Sequence, residues 1–340
     1  MTSFTSAARQ IARQTGLAVR EARVVGAQHG YQHLMITLAG GRRAFAKVAA
    51  ASPATAASPA AAASPAAAAS PAAAASPAAA VADEMAAAFA AEASSLRWLA
   101  EADAVPVPEV LAVTEASLVI SMVPPGHATP SAAFRFGTEL ARLHAAGSED
   151  FGAPWRGFIA SLPLDNTPAP PGQPAGAAPS RTQYPQRPQR ARWPQWYASR
   201  RLLPYLRRAV DSGALRPEDG RLVEAVMDRI DSLAGPAEPP SRIHGDLWAG
   251  NVLWSGERGW LIDPAAHGGH RETDLAMLAL FGAPHLDRIL AGYNDTTPLA
   301  AGWRSRVPLH QLHPLLVHAC LFGASYASEV RSAARAVLSA

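Results

Sequence analysis

The chain has 340 residues, with 30 basic and 27 acidic side chains and a formal charge of +3, which gives no reason to expect a nucleic acid or an anionic membrane as partner. Its one cysteine, Cys320, cannot form an internal disulfide, and no apolar run reaches the roughly 18 residues of a membrane span. The N-terminus lacks the apolar core of a signal peptide, which favours a cytoplasmic protein. A chain of this length usually forms two domains or lobes.

The first predicted element is a β-hairpin. Short alternating apolar runs extend from Val24 to Val48 and are interrupted by the dipeptide Gly40-Gly41, which is typical of a tight turn. We expect an antiparallel pair whose second strand is 44–48.

An alanine-rich repeat follows the hairpin. Ser-Pro recurs every six residues, at Ser52, Ser58, Ser64, Ser70 and Ser76, in units close to SPAAAA. Each unit could begin a helix, but every following proline removes a backbone donor and costs about 3 kcal/mol inside a helix. No unit offers a large side chain to bury, so we predict a disordered insertion at about 49–81.

The next two elements are a helix and a buried strand. Met85, Phe89, Leu96 and Leu99 recur at helical spacing and predict a helix over about 82–102. The apolar run 118–123 has the length of a buried strand and ends at Pro-Pro-Gly. We place a boundary there, between an N-terminal nucleotide-binding lobe, 1–123, and a C-terminal catalytic and substrate lobe, 124–340.

The C-terminal lobe is predicted to be mainly helical. Helices are expected at 133–145, 195–210, 217–233, 273–281 and 309–338, with short strands near 252–254 and 260–262. The overall prediction is an α+β, bilobal, protein-kinase-like fold, in which the small lobe has an antiparallel sheet and one long helix.

A second biased segment, 167–194, is rich in proline, glutamine and arginine and has no apolar period. It predicts a long surface loop. Its arginines could attract phosphate or RNA, but such a run is more often a solvated face, which is the interpretation we favour.

The strongest chemical signal is the loop IHGDLWAGNVLW, residues 243–254, followed by Asp263 at the end of a short predicted strand. Asp246, Asn251 and Asp263 have the spacing of the H-x-D-x-x-x-x-N loop and the following metal-binding aspartate of protein-kinase-like phosphotransferases. Phosphoryl transfer needs a carboxylate to accept the hydroxyl proton and oxygen ligands to hold Mg²⁺. Asp246 is the expected base, and Asn251 and Asp263 are the expected ligands. For Asp246 or Asn251 alone, an Asx turn in a surface loop is the better interpretation.

A second signal is the single lysine of the chain, Lys47, in the last strand of the hairpin. Glu92 follows Phe89 by three residues and therefore lies on the apolar face of the predicted helix. A buried carboxylate needs a partner, and a strand lysine can supply it while also contacting nucleotide phosphates. Glu84 or Glu101 could replace Glu92, and a lysine retained by chance at the surface is the other interpretation.

The motifs HGDLWAGN, IDPAAHGGHRETDLAM and LHQLHPLLVHACLFGASY resemble the fructosamine kinase family, within the aminoglycoside and choline kinase-like group. The tryptophan after HGDL and the G-H-R-E-x-D-L run distinguish the pattern from that of aminoglycoside kinases. The resemblance covers most of 23–48 and 83–330 except the Pro-rich segment. It implies ATP-dependent phosphorylation of the sugar 3-hydroxyl of a small-molecule or protein-bound ketoamine, whose product decomposes and frees the amine.

The resemblance also implies roles for single residues, with ATP and Mg²⁺ as cofactors. It supports the roles given to Asp246, Asn251, Asp263, Lys47 and Glu92. It adds Met122 for adenine, Gly26 in a weak phosphate loop, Asp274 as a brace of the catalytic loop, and Trp248, His270 and Arg271 as substrate contacts. For Trp248, core packing is an equal alternative.

Other interpretations stay open at this point. His267, His270, His310, His313 and His318 could suggest zinc, but without a completing ligand set we favour core or capping histidines. The acceptor could be another hydroxyl, on an aminoglycoside or amino alcohol, although the G-H-R-E run argues against this. The protein could also be an inactive, nucleotide-binding pseudokinase. The sequence does not predict the oligomeric state.

Overall fold

The computed structural model describes residues 6–28, 30–49, 77–168 and 192–340. Backbone contacts divide the chain into two compact units: residues up to Ala93 with Val110–Met122, and Ser94–Glu109 with Val123–Ala340. Residues 50–76 of the predicted insertion and 169–191 of the predicted Pro-rich loop lie outside the described residues. The predicted boundary at residue 123 stays a prediction.

The first unit is built on a five-stranded antiparallel sheet in the order β1-β2-β3-β5-β4. The strands are β1 (Val19–Gln28), β2 (Tyr31–Leu38), β3 (Arg43–Ala49), β4 (Val110–Thr114) and β5 (Ser117–Ser121). The hairpin β2–β3 is the predicted one, and both turn glycines have positive φ, 86° at Gly40 and 84° at Gly41. Helix α1 (Ser6–Thr15) adds Ala8 and Ile11 to the core of the sheet.

Helix α2 (Pro77–Ala100) begins earlier than the sequence pattern suggests. The predicted disorder is wrong at both ends of the insertion, because β3 continues through Ala49 and the helix already includes 77–81. Proline is favourable as the first helical residue and alanine has the highest helix propensity, so the last repeat unit can start this helix. Phe89 and Leu96 are buried, as their spacing predicts.

The second unit is mainly helical, which together with the sheet of the first unit confirms the predicted α+β class. Its helices are α3 (Pro130–Ala145), α4 (Trp193–Tyr197), α5 (Leu203–Asp211), α6 (Pro217–Asp228), α7 (Ile230–Leu233), α8 (Glu272–Leu280), α9 (Leu286–Thr296), α10 (Trp303–Phe322) and α11 (Ala327–Ser339). Three antiparallel strand pairs accompany them: β6 (Gly157–Ile159) with β7 (Leu162–Leu164), β8 (Ser241–Ile243) with β11 (His267–Gly269), and β9 (Val252–Ser255) with β10 (Arg258–Leu261).

Three details of the second unit differ from the sequence prediction. The loop predicted to reach residue 194 is wrong at its end, since α4 begins at the buried Trp193 and a π-helical turn, Ala198–Leu202, joins it to α5. The helix predicted over 309–338 is divided at Gly323, because its φ of 74° and ψ of −153° lie outside the range that continues an α-helix. Helix α9 was not predicted. Among the described residues, no helix combines the length and the apolar content that crossing a bilayer requires.

Helices α3 and α9 pack with their backbones in close contact. A Cβ atom at Gly137 of α3 would overlap the carbonyl oxygen of Ile289, and a Cβ atom at Gly292 of α9 would overlap that of Phe134. Both helices therefore need glycine at the contact. This contact also places the last turn of α3 beside Tyr293, which belongs to the candidate site.

We predict that Gly292→Ala lowers the free energy of unfolding by about 2 kcal/mol, the scale of overpacking in a tight core. Gly220→Ala in α6 is the matched control, because its Cβ would meet side-chain methyl groups and no backbone atom, Val210 at 3.3 Å and Leu206 at 3.9 Å. Urea unfolding monitored by circular dichroism measures both. Equal stability of the Gly292 variant and the wild type would show that the two helices are not packed this closely.

Candidate active site

The candidate site is built on the loop that leads from β8 to β9. Gly245 has a φ of 81°, and a Cβ atom there would overlap the carbonyl oxygen of Ala265. The glycine before Asp246 is therefore required by both the backbone conformation and the close approach. After Asp246 the chain forms a 3₁₀ turn, Ala249–Asn251, and continues directly into β9.

A buried carboxylate holds this loop from behind. Asp274, in the first turn of α8, accepts the backbone N–H of His244 at 2.7 Å and that of Gly245 at 3.0 Å. The bracing position predicted for Asp274 is confirmed. Burial alone would raise the pKa of Asp274, but its hydrogen bond and charge interaction with His144, together with its other partners, outweigh burial and lower the pKa.

Two residues that the sequence did not reveal complete this brace. His144 Nε2 lies 3.1 Å from Asp274 Oδ2, and His144 Nδ1 lies 2.8 Å from the hydroxyl of Tyr293. Their partners are more than 100 residues away in the chain, so no local pattern could point to either residue. The chain of hydrogen bonds joins α3, α9 and α8 to the loop that carries Asp246.

The imidazole of His244 connects the two segments that carry the predicted catalytic groups. Its Nδ1 accepts the N–H of Asp246 at 3.2 Å, and its Nε2 donates to the carbonyl of Ile262 at 2.9 Å. Burial lowers the pKa of His244 and keeps the ring neutral, with one protonated nitrogen, as these two bonds require. Asp263 directly follows Ile262. The ring of His244 therefore fixes the backbone at Asp246 and the backbone just before Asp263 relative to one another.

Asn251 orients Asp246. Its Nδ2 donates to the carbonyl oxygen of Asp246 at 2.8 Å and to Oδ2 at 3.2 Å. Asp246 is only partly exposed, and desolvation, followed by repulsion from Asp263, raises its pKa to about 7, although the hydrogen bond from Asn251 acts in the opposite direction. These bonds use the nitrogen of the Asn251 amide, so its oxygen is the end suited to a cation.

Asp263 lies at the exposed end of the segment after β10. Its φ is 53°, in the left-handed region, which costs a residue with a Cβ atom about 1 kcal/mol or more. The carboxylates of Asp263 and Asp246 repel one another closely enough to raise a pKa. The carboxylate of Asp263 and the amide oxygen of Asn251 are oxygen donors of the kind that Mg²⁺ takes, and a cation beside Asp263 would reduce the repulsion, so the residues present fit the ion.

The first unit contains the predicted lysine–glutamate pair. Lys47 Nζ, on β3, donates to both carboxylate oxygens of Glu92 on α2, at 2.9 and 2.7 Å. Both side chains are largely buried. The ion pair predicted from the position of Glu92 on the apolar face of the helix is thus present.

The other two predicted nucleotide contacts are also in the first unit. Met122 follows β5, and its N–H donates to the carbonyl of Arg43 at 3.3 Å, so this N–H already has a partner within the protein. Gly26 lies within β1, opposite His33 and beside a shift of strand register after Val24. The nucleotide-binding roles of Met122 and Gly26 stay predictions.

The three predicted substrate contacts lie in different environments. Trp248 is 41% exposed and covers Gly250, where a Cβ atom would overlap the indole ring, so its ring is not part of the core. His270 is buried beside Trp193. Arg271 donates to both oxygens of Glu238, each at 2.7 Å. The substrate roles of all three stay predictions.

His270, Glu272 and His310 lie close enough together to suggest a metal centre. However, Arg306 donates to both oxygens of Glu272, at 2.9 and 2.5 Å, and His270 Nδ1 accepts the N–H of Glu272. A guanidinium already neutralises the carboxylate, so this cluster is a buried ion pair surrounded by core histidines.

Comparison with known proteins agrees with this geometry. A model of the family described as fructosamine kinase matches residues 79–170 and 179–340. A probable ketoamine kinase of Escherichia coli strain K12 is 33% identical over 248 residues, which is 72% of this chain and 78% of the relative. A crystal structure of a candidate fructosamine-3-kinase from Thermobifida fusca is 45% identical, with a TM-score of 0.80, and covers 99% of this chain and 100% of that chain.

A more distant structure shares the fold alone. An ADP-bound aminoglycoside phosphotransferase has a TM-score of 0.56 at 12% identity, and the match covers 97% of both chains. The fold and the loop define a protein-kinase-like phosphotransferase that uses a hydroxyl group as acceptor. Within that class, the chain belongs to the fructosamine kinase family.

We predict that Asp274→Asn destabilises the protein at pH 7 by about 3 kcal/mol, because it removes a buried charge and turns an amide NH₂ group toward groups that donate to the carboxylate. The pKa of Asp274 is lowered in the folded state. Its contribution is therefore complete above the unfolded pKa of about 4 and is lost as the pH falls below it. Urea unfolding at pH 7, 5 and 3 measures the difference between variant and wild type. A difference that does not shrink at pH 3 would contradict the ionised form of Asp274.

Proposed function

We propose that this protein transfers the γ-phosphoryl group of ATP to the sugar 3-hydroxyl of a ketoamine. The observation that carries the proposal is the arrangement of Asp246, Asn251 and Asp263. The carboxylate of Asp246 has a raised pKa, accepts a hydrogen bond from the amide of Asn251, and lies near enough to Asp263 to be repelled by it. Membership of the fructosamine kinase family supports the acceptor class.

Asn251 and Asp263 are the residues proposed to hold Mg²⁺, and Lys47 is proposed to bind phosphate oxygens of the nucleotide. Bound MgATP supplies the electrophilic phosphorus of the reaction. Glu92 keeps the ammonium group of Lys47 in one position through two hydrogen bonds, so the lysine reaches a phosphate at little further entropic cost.

Asp246 is proposed to act as the general base. As the acceptor oxygen bonds to phosphorus and the bond to the leaving ADP oxygen breaks, a carboxylate oxygen of Asp246 takes the hydroxyl proton. A pKa of about 7 suits this step, because about half of the base is ionised at pH 7 and the ionised form is still basic enough to bind the proton. The amide of Asn251 holds the carboxylate, and the hydrogen bond that the backbone N–H of Asp246 donates to His244 fixes the main chain beside it.

Trp248 is the residue proposed to meet the sugar. It lies two residues after Asp246 on the same loop, and its ring is partly exposed. An aromatic face provides apolar area for the C–H face of a carbohydrate while leaving the hydroxyl groups accessible.

The direct experiment supplies purified protein with MgATP and fructosyl-lysine, measures ADP release, and locates the phosphate by NMR. A 3-phosphate is the expected product. A parallel panel of aminoglycosides and amino alcohols tests the other acceptor classes. Turnover of the panel without turnover of the ketoamine would assign a different acceptor, and nucleotide binding without any turnover would indicate a pseudokinase.

We predict that Asp246→Asn decreases kcat by at least about a hundredfold, the lower scale of general-base catalysis. Because the base must be ionised, kcat/KM of the wild-type enzyme rises with pH and levels off above the pKa of about 7. Steady-state kinetics between about pH 5.5 and 9, a range that brackets this pKa, measure both. A variant that keeps wild-type kcat would remove Asp246 from the mechanism.

A further inference from the structure

Five aromatic side chains form a continuous surface feature in the second unit, here named the aromatic strip. Its members are Trp248, Phe281, His318, Phe322 and Tyr326. Ring centroids are 6.4 Å apart for Trp248 and Phe281 and 5.2 Å apart for Phe281 and His318. His318 then contacts Phe322 at 5.5 Å and Tyr326 at 4.9 Å. The strip therefore leads from the catalytic loop to the junction of α10 and α11.

The strip exposes an unusual amount of apolar surface. Seven large apolar side chains are exposed among the described residues, and three of them belong to the strip: Trp248 at 41%, Phe281 at 41% and Phe322 at 58%. Single exposed apolar residues need no explanation, but a contiguous group indicates a binding surface.

The backbone holds the far end of the strip in place. Phe322 ends α10, and a 3₁₀ turn, Gly323–Tyr326, leads into α11, so the rings of Phe322 and Tyr326 lie 5.9 Å apart. His318 Nδ1 donates to the carbonyl of Pro314 at 2.7 Å. A ligand would meet rings that are already ordered, which lowers the entropic cost of binding.

The strip contains no charged side chain near neutral pH. Burial lowers the pKa of His318, the one titratable member that could become cationic, so its ring is neutral. Aromatic faces are electron-rich and attract cations, whereas they offer nothing to an anionic group.

We propose that the aromatic strip binds the amine carrier of the phosphoryl acceptor and selects carriers that are apolar or aromatic. This inference rests on the proposed function. The sugar must lie at the Trp248 end, since that end adjoins Asp246, so the part of the acceptor that continues along the strip is the amine and its substituent. The secondary amine of a ketoamine is protonated at neutral pH, and its cation suits the ring faces.

The experiment compares three acceptors with the same fructosyl group, on methylamine, on benzylamine and on aspartate. The KM of the wild-type enzyme is expected to be lowest for the benzylamine compound and highest for the aspartate compound. Phe322→Ala is expected to reduce the KM ratio between the methylamine and benzylamine compounds about tenfold, the scale of one lost aromatic contact. The kcat values should change little, because the chemistry occurs at the other end of the strip.

Two further variants make the result specific. Phe322→Tyr keeps the ring and should preserve the wild-type KM ratio. Val81→Ala, which removes an exposed apolar side chain outside the strip, should leave every KM unchanged. Sedimentation velocity of each variant shows whether the strip instead joins two copies of the chain. An oligomer that dissociates in Phe322→Ala without a change in the KM ratio would overturn the proposal.

The outcomes separate this proposal from the proposed function. If all three ketoamines are phosphorylated with one common KM, the protein is a ketoamine kinase and the strip does not select the carrier. If none is phosphorylated, the proposed function fails. Calorimetric titration with benzylamine and with methylamine then measures separately whether the strip prefers an aromatic amine. Equal affinity for the two amines would then overturn it.

Discussion

Much of the candidate site depends on one buried carboxylate. Asp274 accepts two consecutive backbone N–H groups from the loop that carries Asp246, and it is held in turn by His144 and Tyr293. A carboxylate without these partners would be too costly to bury, and a loop without the carboxylate would leave two buried N–H groups unsatisfied. Loop, helix α8 and the α3–α9 pair therefore stabilise one another.

The two aspartates of this region have opposite pKa shifts for a physical reason. Asp274 is surrounded by donors, so its charged form is stabilised despite burial and its pKa falls. Asp246 has one amide donor and faces the charge of Asp263, so desolvation dominates and its pKa rises to about 7. Environments of this kind separate a structural carboxylate, which stays ionised, from one that can exchange a proton during catalysis.

The sequence predicted those features that depend on local spacing. The Gly-Gly turn and alternating residues predicted the β2–β3 hairpin, and the phase of Glu92 on α2 predicted its ion pair with Lys47. It could not predict His144 and Tyr293, because their role arises from the tight packing of α3 on α9. The aromatic strip was also missed as a unit, since its rings come from the catalytic loop, the residue after α8, the last turns of α10 and the turn that follows α10.

The central claim is that Asn251 and Asp263 bind the metal beside Asp246. A crystal structure with Mg²⁺ and a non-hydrolysable ATP analogue tests it most directly. The account predicts the amide oxygen of Asn251 and a carboxylate oxygen of Asp263 at about 2.1 Å from the ion, the usual Mg²⁺–oxygen distance. A bound nucleotide and ion with both side chains turned away from the metal would contradict it.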